Sequence, residues 1–336
     1  MRIDLILPAH LPADDMLALG RLAESHGLGA VWVANVLASR DPFVNFVPLA
    51  MQTEKLRLGP IAVSPFELHP LKMANLLLTL NEFGGGRAQI VVGAGGGTLQ
   101  AMGVEPRRIV RAVRECVEIL RQAAAGQAGP YRGEIYDIAW LDAQWVKAPA
   151  PTIYVGANLP QMLRMGAGTG DGIMVSDFTP ERIRWAREIV DPVLSGVGRN
   201  TASFPFSNFW AWHVDESAEK AEQEARIFLA VRGTIYPDYI QDVVGEAEAK
   251  IVTDHLGSFM TAYTRRSPEI DGVPDAILKQ IVAGGVSASA VSDLDREIER
   301  LLQFQAAGLN EIALCLYSDF AAKIRLLGER VVPALN

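Results

Sequence analysis

The chain has at residues 56–97 the sequence LRLGPIAVSPFELHPLKMANLLLTLNEFGGGRAQIVVGAGGG, in which two apolar runs flank a helical pattern. The runs at 56–64 and 87–93 are rich in Ile, Val and Leu, as are strands buried on both faces of a parallel sheet. The helical pattern opens at Pro70, a residue favoured in the first turn of a helix. The stretch therefore predicts the strand, helix and strand of an α/β unit.

The same alternation of strand and helix extends along the whole chain. Eight strands are predicted, at 2–7, 30–34, 56–64, 87–93, 152–156, 172–176, 204–214 and 310–316. Eight such units fit a (β/α)8 TIM barrel, although a doubly wound open sheet shows the same alternation. We expect a single barrel domain over residues 1–336, with insertions near 128–149, a small hairpin, and 236–285, mostly helical.

Three further patterns concern helices. Residues 42–53 are expected to form one loose helix after the second strand. One amphipathic helix follows the fourth strand, and its charged residues are expected to form a solvated face. These are Arg108, Arg111, Arg114, Glu115, Glu118 and Arg121. Ser292 with Asp295 has the spacing of a capping box and predicts the start of a later helix.

Composition excludes several classes of function. The formal net charge is −8 and no Lys/Arg cluster occurs, which disfavours binding to nucleic acid or an anionic membrane. The N-terminal apolar run is too short for a signal peptide, and no run of eighteen apolar residues occurs, so we expect a cytosolic, cytoplasmic protein. Cys116 and Cys315 are expected to be reduced structural thiols.

Two glycine runs differ in their expected roles. Residues 93–97 are not a G-x-G-x-x-G fingerprint, because position 98 is Thr, and they fit close backbone approach either to a ligand or to another loop. Gly84–Gly86 precede Arg87 at the opposite end of the fourth strand. We therefore predict a structural role for Arg87 at the bottom of the barrel.

The ends of the strands supply the candidate polar groups. His10, His69 and His213 follow or finish strands, which places them at the face where barrel enzymes have their chemistry, although each could be a surface histidine. No metal-binding motif and no nucleophile elbow occurs. The sequence at 176–180 combines two hydroxyls with a helix start, which suits either a phosphate or simple capping by Thr179.

Several segments together resemble the bacterial-luciferase-like superfamily of flavin and deazaflavin barrels, and most closely its methylenetetrahydromethanopterin reductase branch, which uses coenzyme F420. The segments are LRLGPIAVSPFELHP, FGGGRAQIVVGAGGG, RAVRECVEILR, PTIYVGANLPQML, GDGIMV and GERVVPAL. The resemblance implies a (β/α)8 barrel with the cofactor ring, F420 or alternatively FMN, across the carboxyl ends of the strands.

The resemblance also implies a set of cofactor-binding residues. A non-proline cis peptide between Ile61 and Ala62 would form a bulge against the ring. The whole implied set is Asn35, Ile61, Ala62, Val63, Gly93, Gly95, Gly156, Ala157, Ser176, Asp177 and Thr179. The last three would lie on the phosphate side.

The chain departs from this family after the second strand. It reads Trp32-Val33-Ala34-Asn35-Val36, where deazaflavin enzymes usually have Trp-x-x-Asp-His. Asn35 can form hydrogen bonds, but Val36 cannot transfer a proton. His69, His10 and Glu67 are therefore the candidate catalytic groups.

These observations favour an F420-dependent oxidoreductase that transfers a hydride between the deazaflavin ring and a small organic substrate. The first alternative is an FMN-dependent monooxygenase that uses O₂ and reduced flavin from a partner reductase. An alternative of another class is a non-catalytic flavin- or deazaflavin-binding barrel, which a trans bond at Ile61–Ala62 and an occluded top face would support. The family resemblance also implies a homodimer that pairs through the second and third helices.

Overall fold

The structure is a computed structural model that describes residues 1–36 and 39–335, apart from the side chain of residue 238. Its strands are β1 (Arg2–Leu7), β2 (Ala30–Ala34), β3 (Arg57–Ile61), β4 (Gln89–Val92), β5 (Gly129–Arg132), β6 (Asp137–Leu141), β7 (Thr152–Gly156), β8 (Gly172–Ser176), β9 (Phe206–Ala211) and β10 (Glu311–Cys315). Eight of them form one parallel sheet in the order β3-β2-β1-β10-β9-β8-β7-β4. Bridges from Leu58 to Ala88 and from Val63 to Val92 join its two edges. The predicted barrel is confirmed.

Helices surround this barrel and cover its outer face. They are α1 (Ala13–Ser25), α2 (Pro42–Asn45), α3 (Val47–Gln52), α4 (Pro70–Phe83), α5 (Gly97–Ala101), α6 (Ile109–Ala124), α7 (Pro160–Thr169), α8 (Pro180–Gly196), α9 (Ala218–Phe228), α10 (Pro237–Val244), α11 (Glu246–Asp254), α12 (Leu256–Arg265), α13 (Asp275–Gly285), α14 (Leu294–Ala306) and α15 (Phe320–Leu326). In the ranges that the structure describes, no helix is long and apolar enough to span a bilayer.

Two segments lie outside the eight strands of the barrel and the helices that follow them. Strands β5 and β6 pair antiparallel as a hairpin separate from the barrel. Helices α10–α13 belong to the second insertion and share an apolar core of their own with α9, centred on residues such as Ile240, Phe259 and Ile281. This second core explains how a long segment outside the barrel can be stably folded.

Arg87 has a structural role at the lower end of the barrel, as predicted. Its guanidinium donates to the backbone oxygens of Ala50, Thr53 and Leu56 at 2.6–2.7 Å and to the Thr53 hydroxyl at 2.9 Å. These carbonyls end a helix and a loop, where no backbone donor is in place to satisfy them. Arg87 therefore supports the fold and lies far from the upper face.

Three expectations about helices were wrong. Glu115 is 1% exposed, because its carboxylate accepts the backbone N–H groups of residues 134, 135 and 136 in the hairpin. The helix expected from Pro42 is divided into α2 and α3, since Pro48, which lacks an amide hydrogen, lies in the first turn of α3. Ser292 lies in a 3₁₀ turn before α14 and the predicted capping box does not form, since no side chain caps that helix.

Candidate active site

A cleft of about 1490 Å³ opens across the carboxyl ends of the barrel strands. It exceeds the roughly 300–1,000 Å³ of an ordinary small-molecule pocket, so it has room for a ring system with a tail and for a second molecule. Its floor is apolar and includes Ile61, Val91, Met174 and Phe209, which also pack inside the barrel. The helical insertion contributes Tyr239 of α10 to the lining.

The junction of β3 and β4 shapes one side of this cleft. After Ile61, Ala62 is left out of the pairing and projects into the cleft, and Val63 resumes it with β4. The Val63 amide donates to the Val91 oxygen at 2.9 Å, and the Val63 oxygen accepts from Gly93 at 3.0 Å. Val63 is fully buried and does not line the cleft.

The expected cis peptide at Ile61–Ala62 was wrong, because every peptide bond among the described residues is trans. The projection of Ala62 comes instead from its omission from the strand pairing. Gly93 fits against this projection because a Cβ there would lie only 2.8 Å from the Ala62 Cβ. A larger residue at position 93 would push the two strands apart.

Backbone forms the adjoining wall. Gly95 has φ +85°, a left-handed conformation that glycine adopts without strain, and a Cβ at Gly96 or Gly97 would meet no atom within 4 Å. These three glycines line the cleft, as do Gly156 and Ala157 from the end of β7. The loop thus presents peptide groups to a ligand with no side chains between.

Asn35 and Glu67 are joined at the edge of the cleft. The Asn35 side-chain amide donates to the Glu67 carboxylate, which also accepts the Ser64 backbone N–H at 3.2 Å. Burial raises the pKa of Glu67, and the hydrogen bonds from Ser64 and Asn35 only partly oppose that rise. Glu67 therefore holds a proton at higher pH than an exposed glutamate.

The predicted histidines lie outside the cleft lining. His69 is exposed, caps α4 by accepting the Leu71 N–H at 3.2 Å, and packs edge-on against Tyr136. His10 is exposed, and its backbone oxygen accepts a hydrogen bond from Arg40. Of the three candidate catalytic residues, the structure brings only Glu67 into the cleft.

The third strand-end histidine is also absent from the cleft lining. His213 is fully buried, with its Nδ1 2.8 Å from a carboxylate oxygen of Glu224 and its ring stacked on Tyr317 at 4.5 Å. Burial lowers the pKa of His213, although the hydrogen bond to Glu224 opposes this shift. Its geometry is that of a structural histidine.

The residues expected on the phosphate side are separated by the structure. Ser176 lines the cleft, but Asp177 is 3% exposed and ion-paired with the guanidinium of Arg232 at 2.7 Å. Thr179 caps α8 by accepting the Arg182 N–H at 3.4 Å and lies outside the cleft lining. Of these three residues, only Ser176 lines the cleft, and the charge of Asp177 is already balanced by Arg232.

The positive charges of the cleft lie on α6 and α7, which sequence reasoning missed. Arg108 and Arg111 line the cleft at the start of α6 and share Glu134 of the hairpin as an ion-pair partner. Arg164 lines it from α7, whose N-terminus has no side-chain cap. Arginines in the first turn of a helix that follows a barrel strand were a readable signal, since that turn faces the carboxyl ends of the strands.

Among the described side chains, no group of three or more His, Cys, Asp and Glu converges as a metal site would. The polar groups that line the cleft include the Asn35–Glu67 pair, backbone amides and the arginines of the rim.

Comparison with known proteins places this architecture. Residues 1–311 match the family model described as luciferase-like monooxygenase. The chain is 28% identical over 322 residues to a 5,10-methylenetetrahydromethanopterin reductase of Archaeoglobus fulgidus, with 94% of each chain covered. Among solved structures, a coenzyme F420 dependent tetrahydromethanopterin reductase from Methanopyrus kandleri superposes with a TM-score of 0.83 at 22% identity, over 100% of this chain and 99% of the other.

A second solved structure has the same fold and a different reaction. It is an F420-dependent secondary alcohol dehydrogenase in complex with an F420-acetone adduct, with a TM-score of 0.78 at 17% identity, covering 100% of this chain and 99% of that one. At these identities the structural likeness establishes the fold alone. The match to the family model spans most of the sequence, and the chain belongs to the luciferase-like monooxygenase family.

Proposed function

We propose that this protein is an F420-dependent oxidoreductase that transfers a hydride between the deazaflavin ring and a small organic substrate. The observation that carries the proposal is the cleft itself, with an apolar floor, the projecting Ala62 and a glycine wall at the carboxyl ends of the strands. Two solved structures that cover the whole chain are named as F420-dependent enzymes.

The chemistry of the lining fits a flat ring with an anionic tail. Ile61, Val91 and Met174 offer apolar surface to the ring, and Gly93 and Gly95 allow backbone to approach its edge. When bound, the cofactor supplies the hydride chemistry, and the protein supplies binding, orientation and proton transfer.

The anionic tail has suitable partners at the opposite rim. Arg108, Arg111 and Arg164 carry positive charge there, and the first-turn amides of Gln161 and Met162 point out of an uncapped helix. Free amides at a helix start, reinforced by arginine, favour phosphate and carboxylate groups. We therefore assign the tail to this rim in preference to the end of β8.

Glu67 is the group proposed to move a proton. Its carboxyl lies in the cleft, its pKa is raised, and Asn35 orients one of its oxygens. A carbonyl or imine substrate that accepts a hydride also needs a proton at its heteroatom, which a protonated carboxyl can donate. Val36 occupies the place from which the family's histidine would act, so Glu67 takes over that role.

An FMN-dependent monooxygenase is the second candidate, since the family model is described as a luciferase-like monooxygenase. In that case a partner reductase would deliver reduced flavin. The non-catalytic alternative has one of its two expected features, the trans bond at Ile61–Ala62, but the top face is open. We favour turnover because the cleft retains Glu67.

The experiment compares cofactors directly. The purified protein is titrated by calorimetry with F420 and with FMN, and then screened with oxidised and reduced F420 against small alcohols, ketones and imines. We expect micromolar binding of F420 and a change of its absorbance with a substrate. Binding of neither cofactor would overturn both candidates, and tight binding with no turnover would favour the non-catalytic reading.

We also propose that two copies associate through the surface of α2, α3 and α4. These helices expose large apolar side chains, namely Val44 (67%), Met51 (63%) and Phe83 (45%). Such side chains gathered on neighbouring helices are typical of a protein–protein interface. Gel filtration should give about twice the 36.4 kDa mass of one chain, and a monomer mass would contradict the proposal.

A further inference from the structure

Arg232 is a buried charge that connects the segment before α10 to two residues that line the cleft. It lies between two short 3₁₀ turns, Leu229–Val231 and Gly233–Ile235, and is 5% exposed. Its Nε and Nη2 atoms donate to the two carboxylate oxygens of Asp177, each at 2.9 Å. This two-pronged geometry fixes orientation as well as charge.

The same guanidinium reaches three strand ends. It lies over the Phe209 ring at 4.1 Å, donates to the Tyr317 hydroxyl at 3.3 Å and approaches the Ser176 hydroxyl at 3.4 Å. Ser176 and Phe209 both line the cleft, whereas Arg232 itself does not. Arg232 thus contacts two residues of the cleft lining from the side that faces away from the cleft.

Asp177 shows how tightly this arrangement is determined. It has φ +60°, a conformation that an L-residue adopts at a cost unless its surroundings require it. Its carboxylate also accepts the Gly233 N–H at 2.7 Å and the Ser176 hydroxyl at 2.9 Å. The backbone turn at the end of β8 is therefore set by contacts that converge on this ion pair.

Stability alone does not account for such a pair. Removing two charges from water costs several kcal/mol per ion, and apolar replacements of buried ion pairs are often neutral or stabilising. What the pair does provide is a single geometry for Ser176 and Phe209. We infer that Arg232 is a positioning residue that holds the Ser176 hydroxyl and the Phe209 ring in place for the cofactor and substrate, an inference that rests on the proposed function.

The chain offers a matched control in Arg187. This arginine also pairs with a carboxylate, Asp191 at 2.7 Å, and also lies over an aromatic ring, that of Phe206 at 5.5 Å. Phe206 begins β9, whereas Phe209 lies nearer its carboxyl end. Arg187 therefore combines an ion pair with an aromatic contact, as Arg232 does, but at the opposite end of the barrel.

The first measurement compares Arg232→Lys with Arg187→Lys by melting temperature and by F420 titration calorimetry. Lysine keeps the charge but loses the planar fork. We expect Arg232→Lys to weaken F420 binding roughly tenfold, the effect of one misplaced charge-assisted hydrogen bond. Arg187→Lys should lower the melting temperature and leave the affinity unchanged. Wild-type affinity in Arg232→Lys would overturn the inference.

The second measurement separates positioning from stability. Arg232→Met leaves Asp177 buried without its partner and should be destabilised, while the double variant Arg232→Met/Asp177→Asn carries neither charge and should regain melting temperature. Its F420 affinity should stay low. Recovery of affinity together with stability would show a merely structural role, and the double variant decides this even if Arg232→Met fails to fold.

The third measurement does not depend on the cofactor. Crystal structures of the wild type and Arg232→Lys without ligand should differ in the positions of the Ser176 hydroxyl and the Phe209 ring. Unmoved side chains would overturn the inference whichever ligand binds. A wild type that binds neither F420 nor FMN would instead overturn the proposed function, and this comparison would still decide the role of Arg232 in the wall.

Discussion

The side-chain amide of Asn35 donates a hydrogen bond to the carboxylate of Glu67, and the two residues stand where β2 and β3 open into the cleft. An amide that donates to a carboxylate favours its ionised form. Asn35 therefore limits the rise in pKa that burial gives Glu67.

The first prediction concerns the pH dependence of turnover. If Glu67 donates the proton to substrate, the rate of reduction falls as pH rises through the pKa of Glu67. Asn35→Ala removes a contact that lowers this pKa, so the falling limb of the pH–rate profile should move to higher pH. Glu67→Gln should lower turnover about 10²- to 10⁴-fold, as loss of a general acid does, and remove the limb. An unchanged limb in Glu67→Gln would exclude Glu67 as the donor.

The second prediction concerns the contact between Gly93 and Ala62. A Cβ at position 93 would lie 2.8 Å from the Ala62 Cβ, so Gly93→Ala should destabilise the barrel by about 1–3 kcal/mol, the usual cost of overpacking. Ala62→Gly in the same chain removes the obstructing methyl and should restore much of that loss. Denaturant unfolding of both single variants and the double variant measures the coupling.

Gly97→Ala is the control for this pair. A Cβ there would meet no atom within 4 Å, and the backbone is outside the left-handed region, so stability should be unchanged. Equal destabilisation by Gly93→Ala and Gly97→Ala would show that the close approach to Ala62 does not determine the effect.

The sequence predicted the barrel well because its strands are buried on both faces. Four strands, such as Thr152–Gly156 and Gly172–Ser176, have their predicted bounds, since turn residues stop each apolar run where pairing stops. The run at 56–64 extends beyond β3 because Val63 remains apolar after Ala62 interrupts the strand. Periodicity does not reveal that a single residue, Ala62, interrupts the strand pairing within an apolar run.

The site was less predictable because its polar groups are placed by tertiary contacts. His69 follows a strand, as a catalytic histidine would, but also precedes Pro70 and so caps a helix. Asp177 lies beside hydroxyls and a helix start in the sequence. Nothing nearby in the sequence indicates that its ion-pair partner is Arg232, 55 residues away. Strand ends identify the face of the barrel; the direction of each side chain depends on partners remote in sequence.

The third prediction concerns acid stability and the pair of His213 and Glu224. Burial lowers the pKa of His213 from 6.5, so on acidification the unfolded chain protonates this imidazole before the folded chain does. The free energy of unfolding therefore falls as the pH drops below about 6.5. Burial alone would raise the pKa of Glu224, but the His213 hydrogen bond and charge, the Ser318 hydrogen bond and the charge of Lys323 hold it at about 2. The stability that ionised Glu224 contributes to the fold is present above pH 4.5 and is lost as the pH falls toward 2.

Two variants test these contributions, and because His213 also holds down the pKa of Glu224, His213→Gln changes the part below pH 4.5 as well. His213→Gln should flatten the decline of unfolding free energy just below pH 6.5, and Glu224→Gln should flatten the part below pH 4.5. Urea unfolding at a series of pH values gives both slopes, which do not depend on the overall stability of each variant. Parallel pH curves for His213→Gln and wild type would contradict the assignment.

The last prediction concerns Glu115, which anchors the hairpin of β5 and β6 to α6. Its carboxylate accepts three backbone N–H groups of the hairpin at 2.8–2.9 Å. Glu115→Ala leaves these donors without a partner, at a cost of about 1–3 kcal/mol for each that stays buried. We expect amide hydrogen exchange to rise across residues 129–141 while the barrel strands keep their protection.

Arg132→Ala, on the exposed side of the same hairpin, is the control. It removes only a surface ion pair with Asp137 and should leave exchange nearly unchanged. Because Glu134 also binds Arg108 and Arg111 at the rim, a loosened hairpin should weaken F420 binding as well, and unchanged affinity would separate the hairpin from the cofactor site.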